Sequence, residues 1–195
     1  MYKLCKTERS AERQRMIEGE LLSLMMIKGY DEITVSELCD RIPMPRKAFY
    51  RYFDGKDDCL EALIDHTLLE YFEYEDGKRV KGERRALSSE LETFFLFWID
   101  NKRLLDALER SDMLGMLVET SASSTRGNVN IGKFLPGERD VMIERIFQFS
   151  VCGLMFLMID WYKAGFNSST KEMAEAAVRM LSKPLFPNLD SVGFV

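Results

Sequence analysis

An all-α fold of about nine helices is predicted by three features of this 195-residue sequence. Apolar and semi-apolar residues recur at three- and four-residue spacing, most regularly at Leu60, Leu63, Ile64, Thr67, Leu68, Tyr71 and Phe72. No stretch shows the strict alternation of a half-buried strand. Only five prolines interrupt the chain, so helix is the default element. The length suits one small and one medium domain, and an apolar content of 46% excludes a disordered tail.

The elements follow in order. A helix is predicted over Glu8–Lys28, with Ile17, Leu21, Leu24 and Met25 on one face and Gly29 as its left-handed end. After the connector Tyr30–Ile33, Thr34-Val35-Ser36-Glu37 forms a reciprocal capping box. It opens a helix that must stop near Arg41, ahead of Pro43 and Pro45. Pro45 suits the first position of a short third helix ending at Phe53. Asp54-Gly55 breaks that helix, and a long fourth one is predicted from Lys56 to Glu75.

A charged connector, Asp76–Arg85, follows. Leu87–Arg110 is helical with a break near Asp100-Asn101, and Asp112–Thr120 adds another helical piece. Ser121–Gly137 is expected to be a loop, from its Ser, Thr and Gly content. A long apolar helix spans Glu138–Ala164, and a last one runs from about Thr170 to Ser182 with a cap among Ser168, Ser169 and Thr170. Pro184 and Pro187 close the ordered part.

Composition excludes several functions. Met1–Met16 is too charged for the apolar core of a secretory leader, and Val151–Ile159 falls far short of the ~18 residues of a membrane span. A soluble, cytoplasmic protein without a membrane partner is expected. Cys5, Cys39, Cys59 and Cys152 stand far apart, and His66 is the one histidine. No metal, cofactor or redox pair is therefore expected, and the thiols should be reduced and mostly buried. With no phosphate-cradling glycine loop either, nothing marks a catalytic site, and no enzyme is expected.

The formal charge is −5, but it is unevenly spread. Residues 1–56 carry 11 Lys/Arg against 9 Asp/Glu, whereas the remainder carries 16 against 23. Nucleic acid needs local positive charge at the contact surface, not a basic whole. Two short helices joined by a tight turn and backed by a longer helix have the helix-turn-helix geometry. On the second of them, Phe49 and Phe53 face the core at i,i+4, leaving Arg46, Lys47, Tyr50 and Arg51 outward. Three cations and a phenol in six residues suit a reader of DNA backbone and base edges.

The run Gly29-Tyr30, Thr34-Val35, Leu38-Cys39 and then Ile42 through Lys56 resembles the DNA-binding domain of the TetR family of bacterial regulators. Its most distinctive part is Phe49-Tyr50-Arg51-Tyr52-Phe53, followed three residues later by Lys56. The likeness covers about the first 65 residues. It implies a helix-turn-helix domain over residues 1–55 and a helical effector-binding and dimerisation domain over 56–195.

It also implies roles. Thr34 and Lys56 would contact phosphate, Arg46 and Lys47 base edges or nearby phosphates, and Tyr50 the backbone, with Pro45 and Arg51 completing the DNA-facing set. Arg46 is the expected guanine reader. Three positions depart from the family: Pro43 replaces the usual turn glycine, Pro45 a common Ser or Thr, and Ala48 a common Thr. The turn must therefore be built without a left-handed residue at 43.

For the C-terminal part, Phe94, Trp98, Met113, Met116, Phe147, Met155 and Met158 are the candidate lining for a small apolar effector. Met173, Ala177, Met180 and Leu181 share one face of the last helix and are the candidate contact between two copies. The function expected is a homodimeric DNA-binding repressor, released from a palindromic operator by that effector. Two alternatives stay open: a regulator answering to a protein partner, and a helical ligand-binding protein without DNA contact.

Overall fold

A computed structural model describes residues 2, 3, 5, 7–78, 85–127 and 141–182. Among them are nine α-helices, one 3-10 turn and no strand. The chain divides into two compact units, Met1–Glu70 with Asn101–Glu138, and Tyr71–Asp100 with Arg139–Val195.

The first unit holds α1 (Glu8–Met25), the 3-10 turn Tyr30–Glu32, α2 (Val35–Arg41), α3 (Arg46–Phe49), most of α4 (Lys56–Gly77), α6 (Lys102–Arg110) and α7 (Gly115–Gly127). Thr7 caps α1 by accepting the Ser10 N–H on its hydroxyl. The stripe Ile17, Leu21, Leu24 and Met25 is buried as its spacing requires, together with Leu38, Phe49, Phe53, Leu60, Ile64, Leu105 and Leu108. α1 packs on α2 and α6, and α2 on α3.

The end of α1 differs from expectation. The helix stops at Met25, and Gly29 has φ −62° and ψ 146°, an extended conformation open to any residue. The reason is local: the N–H groups of Met26, Ile27 and Lys28 fold back onto the carbonyls of Leu22 and Leu24. The orphan carbonyls are thus met without a left-handed residue. Gly29 instead opens the 3-10 turn, its carbonyl accepting the Glu32 N–H.

Left-handed ends do occur elsewhere. Asp112 (φ 56°) follows α6, where the Met113 N–H reaches back to the Leu108 carbonyl. This delays α7 to Gly115. The predicted loop is corrected in its first part, since residues 121–127 continue α7. The Ser121 hydroxyl donates to the Leu117 carbonyl one turn back (2.6 Å), so this serine is satisfied inside the helix. Residues 128–137 of that loop, 79–84 of the charged connector, and Pro184 and Pro187 lie outside the described residues.

The second unit holds the end of α4, then α5 (Leu87–Asp100), α8 (Val141–Lys163) and α9 (Thr170–Ser182). The break at Asn101, between α5 and α6, falls where expected. α9 packs on α5 and on α8. Aromatic rings fill this unit edge to face: Tyr71 on Phe94 (5.7 Å) and Phe95 on Trp161 (5.4 Å).

Gly165 (φ 75°) ends α8, the Phe166 N–H closing back on the Trp161 carbonyl. Ser169 caps α9: its hydroxyl accepts the Glu172 N–H (3.3 Å), and the Glu172 carboxylate accepts the Ser169 N–H (2.8 Å). That backbone hydrogen bond holds the Glu172 carboxyl below the usual glutamate range. Among the described residues, no helix is long and apolar enough to cross a membrane.

Candidate nucleic-acid interface

The helix-turn-helix is assembled from satisfied backbone groups. Thr34 is extended and its hydroxyl accepts the Glu37 N–H (3.2 Å). The Lys28 ammonium, 2.5 Å from the Glu37 carboxylate, holds that carboxyl below its usual range, and the Thr34 N–H adds to the effect. The hydroxyl half of the capping box is thus formed, with Lys28 on the carboxylate of the other. At the other end of α2, the Met44 N–H donates to the Cys39 carbonyl (3.1 Å), closing the turn. Ile42 and Met44 are buried beneath it while Pro43 and Pro45 stand exposed. No turn residue has a positive φ, as Pro43 demands.

Pro45 (φ −63°, ψ 140°) is the extended residue preceding α3 and not its first helical one. The ψ it adopts is the cap conformation, with its carbonyl accepting the Ala48 N–H. α3 itself is shorter than predicted, ending at Phe49. From Tyr50 to Phe53 the chain winds on through tight turns, with the N–H groups of Tyr52 and Phe53 both on the Phe49 carbonyl. The two faces remain distinct. Phe49 and Phe53 are fully buried with ring centroids 5.4 Å apart. Arg46, Lys47, Tyr50 and Arg51 are all exposed, and Tyr50 stands edge-on to Phe49 (5.5 Å). Thr34 and Pro45 are exposed on the same motif.

Lys56 is half-buried. Its ammonium donates to the carbonyls of Tyr30 (2.9 Å) and Asp31 (3.3 Å) and lies 4.4 Å from the Tyr30 ring centroid. The Tyr30 hydroxyl in turn donates to Asp57 (2.5 Å). Burial, and then that bond to a carboxylate, push the phenol well above its ordinary range. Lys56 and Tyr30 together tie the start of α4 to the turn that precedes α2.

The N-terminal segment also holds the reading turn, which the sequence reading missed. The Lys3 N–H donates to the Tyr52 carbonyl (3.0 Å). Its ammonium reaches the Tyr50 carbonyl (2.8 Å) and the Asp54 carboxylate (2.9 Å). Nothing in the periodicity of residues 1–6 signals this, because the contacts are with the backbone of a distant turn.

Other titratable groups are structural. His66 Nδ1 lies 2.9 Å from both oxygens of the buried Glu18 carboxylate. Cys39 and Cys59 are buried, and burial pushes both thiols up. Among the described residues, no three His, Cys, Asp or Glu side chains converge as a metal site would require.

The candidate effector residues fall in both units. Phe94, Trp98, Met155 and Met158 are buried in the second unit and Phe147 is half-buried there, whereas Met113 and Met116 belong to the first. The Trp98 indole N–H is buried with no hydrogen-bond partner among the described residues. On α9, Met173 and Ala177 are buried within the chain itself, while Met180 and Leu181 are exposed. A second exposed apolar row lies on α8: Ile146, Phe149 and Phe156, exposed by 59%, 60% and 63%, with Gly153 among them. Its i, i+3, i+7, i+10 spacing was available in the sequence, but a helix apolar on several sides does not show which side faces outward.

Residues 22–63 match the family model for bacterial regulatory proteins of the tetR family. No curated protein matches the chain. Among solved structures, a putative TetR-family regulator from Syntrophomonas wolfei is 18% identical, with 95% of this chain and 97% of that one covered and a TM-score of 0.59. A tetR-family regulator from Streptomyces coelicolor is 20% identical over 88% and 79%, with a TM-score of 0.56. The fatty acid degradation regulator FadR from Bacillus halodurans is 14% identical over 93% and 98%, with a TM-score of 0.51. These likenesses extend the shared all-helical fold well beyond the matched segment.

Proposed function

We propose that this chain, whose N-terminal domain is that of the tetR family of bacterial regulatory proteins, is a homodimeric, cytoplasmic transcription regulator and not a catalyst. Residues 1–55 form the reading head, and residues 56–195 bind the effector and pair the subunits. The observation carrying this reading is the division of α3 and its following turn into two faces. Phe49 and Phe53 are sealed in the core, and Arg46, Lys47, Tyr50 and Arg51 project to solvent. A short helix held from behind by two phenylalanines can enter a major groove without losing its own packing. Arg46 and Lys47 then meet base edges or phosphates, and Thr34, Pro45 and Tyr50 border the backbone. Lys56 adds positive charge at the start of α4.

Pairing of two copies is supported by the bare apolar row on α8, Ile146, Phe149 and Phe156, together with Met180 and Leu181 on α9. Gly153 lies in this row, and a Cβ built there meets nothing within its own protomer. A mid-helix glycine costs about 0.5–1 kcal/mol relative to alanine. Close approach of a partner helix accounts for that cost.

The effector is a small, largely apolar molecule bound among Phe94, Trp98, Phe147, Met155 and Met158. It carries a hydrogen-bond acceptor for the orphan indole N–H of Trp98, since buried donors are rarely left unmatched. Its binding releases DNA only to the extent that it favours one separation of the two heads over another. Selection of bound duplexes from a random pool tests the reading. Enrichment of an inverted repeat is expected, and a pool that stays random contradicts it.

A further inference from the structure

A cleft of about 380 Å³ opens beside the reading turn. Arg9, Ser10 and Arg13 of α1 and its cap Thr7 line one side, and Ala48, Arg51 and Tyr52 line the other, with the Arg51 guanidinium 6.0 Å from the Tyr52 ring centroid. All three arginines are exposed. None makes an ion pair among the described residues, even though Glu8 and Glu12 share α1 with two of them, and no acidic side chain lines the cleft.

Folding stability does not explain this grouping. Arg9 and Arg13 lie one helical turn apart on the same face and repel each other. Both crowd the end of α1 whose backbone N–H groups already carry positive partial charge. Cations gathered there oppose the fold unless an anion joins them. A guanidinium offers its donors in a planar fork that matches a phosphate group. Arg51 follows directly on Tyr50 in the reading turn, so an anion held here lies beside whatever α3 reads.

We propose that this cleft is a clamp for one backbone phosphate of the duplex, flanking the bases that α3 contacts. The assignment rests on the reading of α3 as a DNA reader, and it adds a contact made by α1. The clamp positions the head and carries no base information.

The test uses the full chain and the duplex recovered by selection. Arg9→Gln/Arg13→Gln leaves Arg46, Lys47, Tyr50 and Arg51 in place. Affinity is measured from low to high salt for wild type, this variant and Arg9→Lys/Arg13→Lys. The clamp predicts roughly ten-fold weaker binding of the glutamine variant to every duplex alike. The slope of log K against log salt should become shallower by about one per subunit, with base preference unchanged. The lysine variant should keep most of the slope. On the wild-type protein, ethylation of one phosphate outside the recognised bases should block binding, which needs no variant to fold.

Unchanged slope and affinity in a folded glutamine variant overturn the clamp, and so does an altered base preference. Inorganic phosphate that raises the melting temperature of wild type but not of the glutamine variant, with DNA affinity equal in both, marks a free-anion site and also overturns it. A wild type that binds no duplex at all refutes DNA reading itself, a result distinct from a loss confined to the variant.

Discussion

Arg46 and Phe49 lie three residues apart in one short helix and serve opposite ends. Arg46 is exposed and makes no ion pair among the described residues, so its removal leaves the packing of the domain intact. Phe49 is fully buried against Phe53. Arg46→Ala should therefore lower affinity for the selected duplex by about 1–3 kcal/mol, roughly five- to 150-fold, with the thermal midpoint unchanged. Phe49→Ala should cost about 3–5 kcal/mol of stability, the usual range for emptying a buried aromatic site. Fluorescence anisotropy and thermal melting of the two variants separate these effects, and an Arg46→Ala protein that melts early but binds normally would contradict the assignment.

The helix ends carry the clearest pH dependence. Glu37 is held below the usual glutamate range by Lys28 and by the Thr34 N–H, and Glu172 by the Ser169 N–H. A carboxyl with a lowered folded-state value contributes fully above its unfolded value, and the contribution is lost as pH falls through the folded one. Melting temperature should accordingly fall below the ordinary glutamate range, and Glu37→Gln should flatten that acid limb. Thr34→Ala should cost about 1 kcal/mol.

These caps were legible in the sequence because a capping box is complete within four residues. The end of α1 was not. Gly29 looked like a left-handed stop, yet the folded-back N–H groups of residues 26–28 remove the need for one. Ser121 looked like loop chemistry, but its hydroxyl bonds one turn back inside α7. In both cases a local alternative for the backbone decided the outcome, and composition does not record such alternatives. Lys3 was invisible for another reason, because its partners lie some fifty residues away along the chain and are mostly backbone carbonyls.

For the whole molecule, the net charge of −5 would oppose DNA were it spread evenly. The basic excess lies in the first 56 residues, where the exposed cations of α3 stand. The second unit presents instead the apolar row of α8, the face to which the proposed pairing of two copies is assigned. Phe156→Glu, which places a charge at the most exposed ring of that row, should convert a dimer to monomers in sedimentation velocity while leaving helix content unchanged. It should also weaken operator binding, since each head then binds alone. A wild type that sediments as a monomer would contradict the pairing.

The central claim is that α3 enters a major groove, and guanine N7, which opens only into that groove, reports on it directly. Methylation interference on the selected duplex should give two patches of sensitive guanines centred one helical turn, about 34 Å, apart. One guanine in each patch should lose its effect when Arg46 is replaced by alanine. Interference confined to adenine N3 in the minor groove, or patterns identical for wild type and Arg46→Ala, would contradict the account.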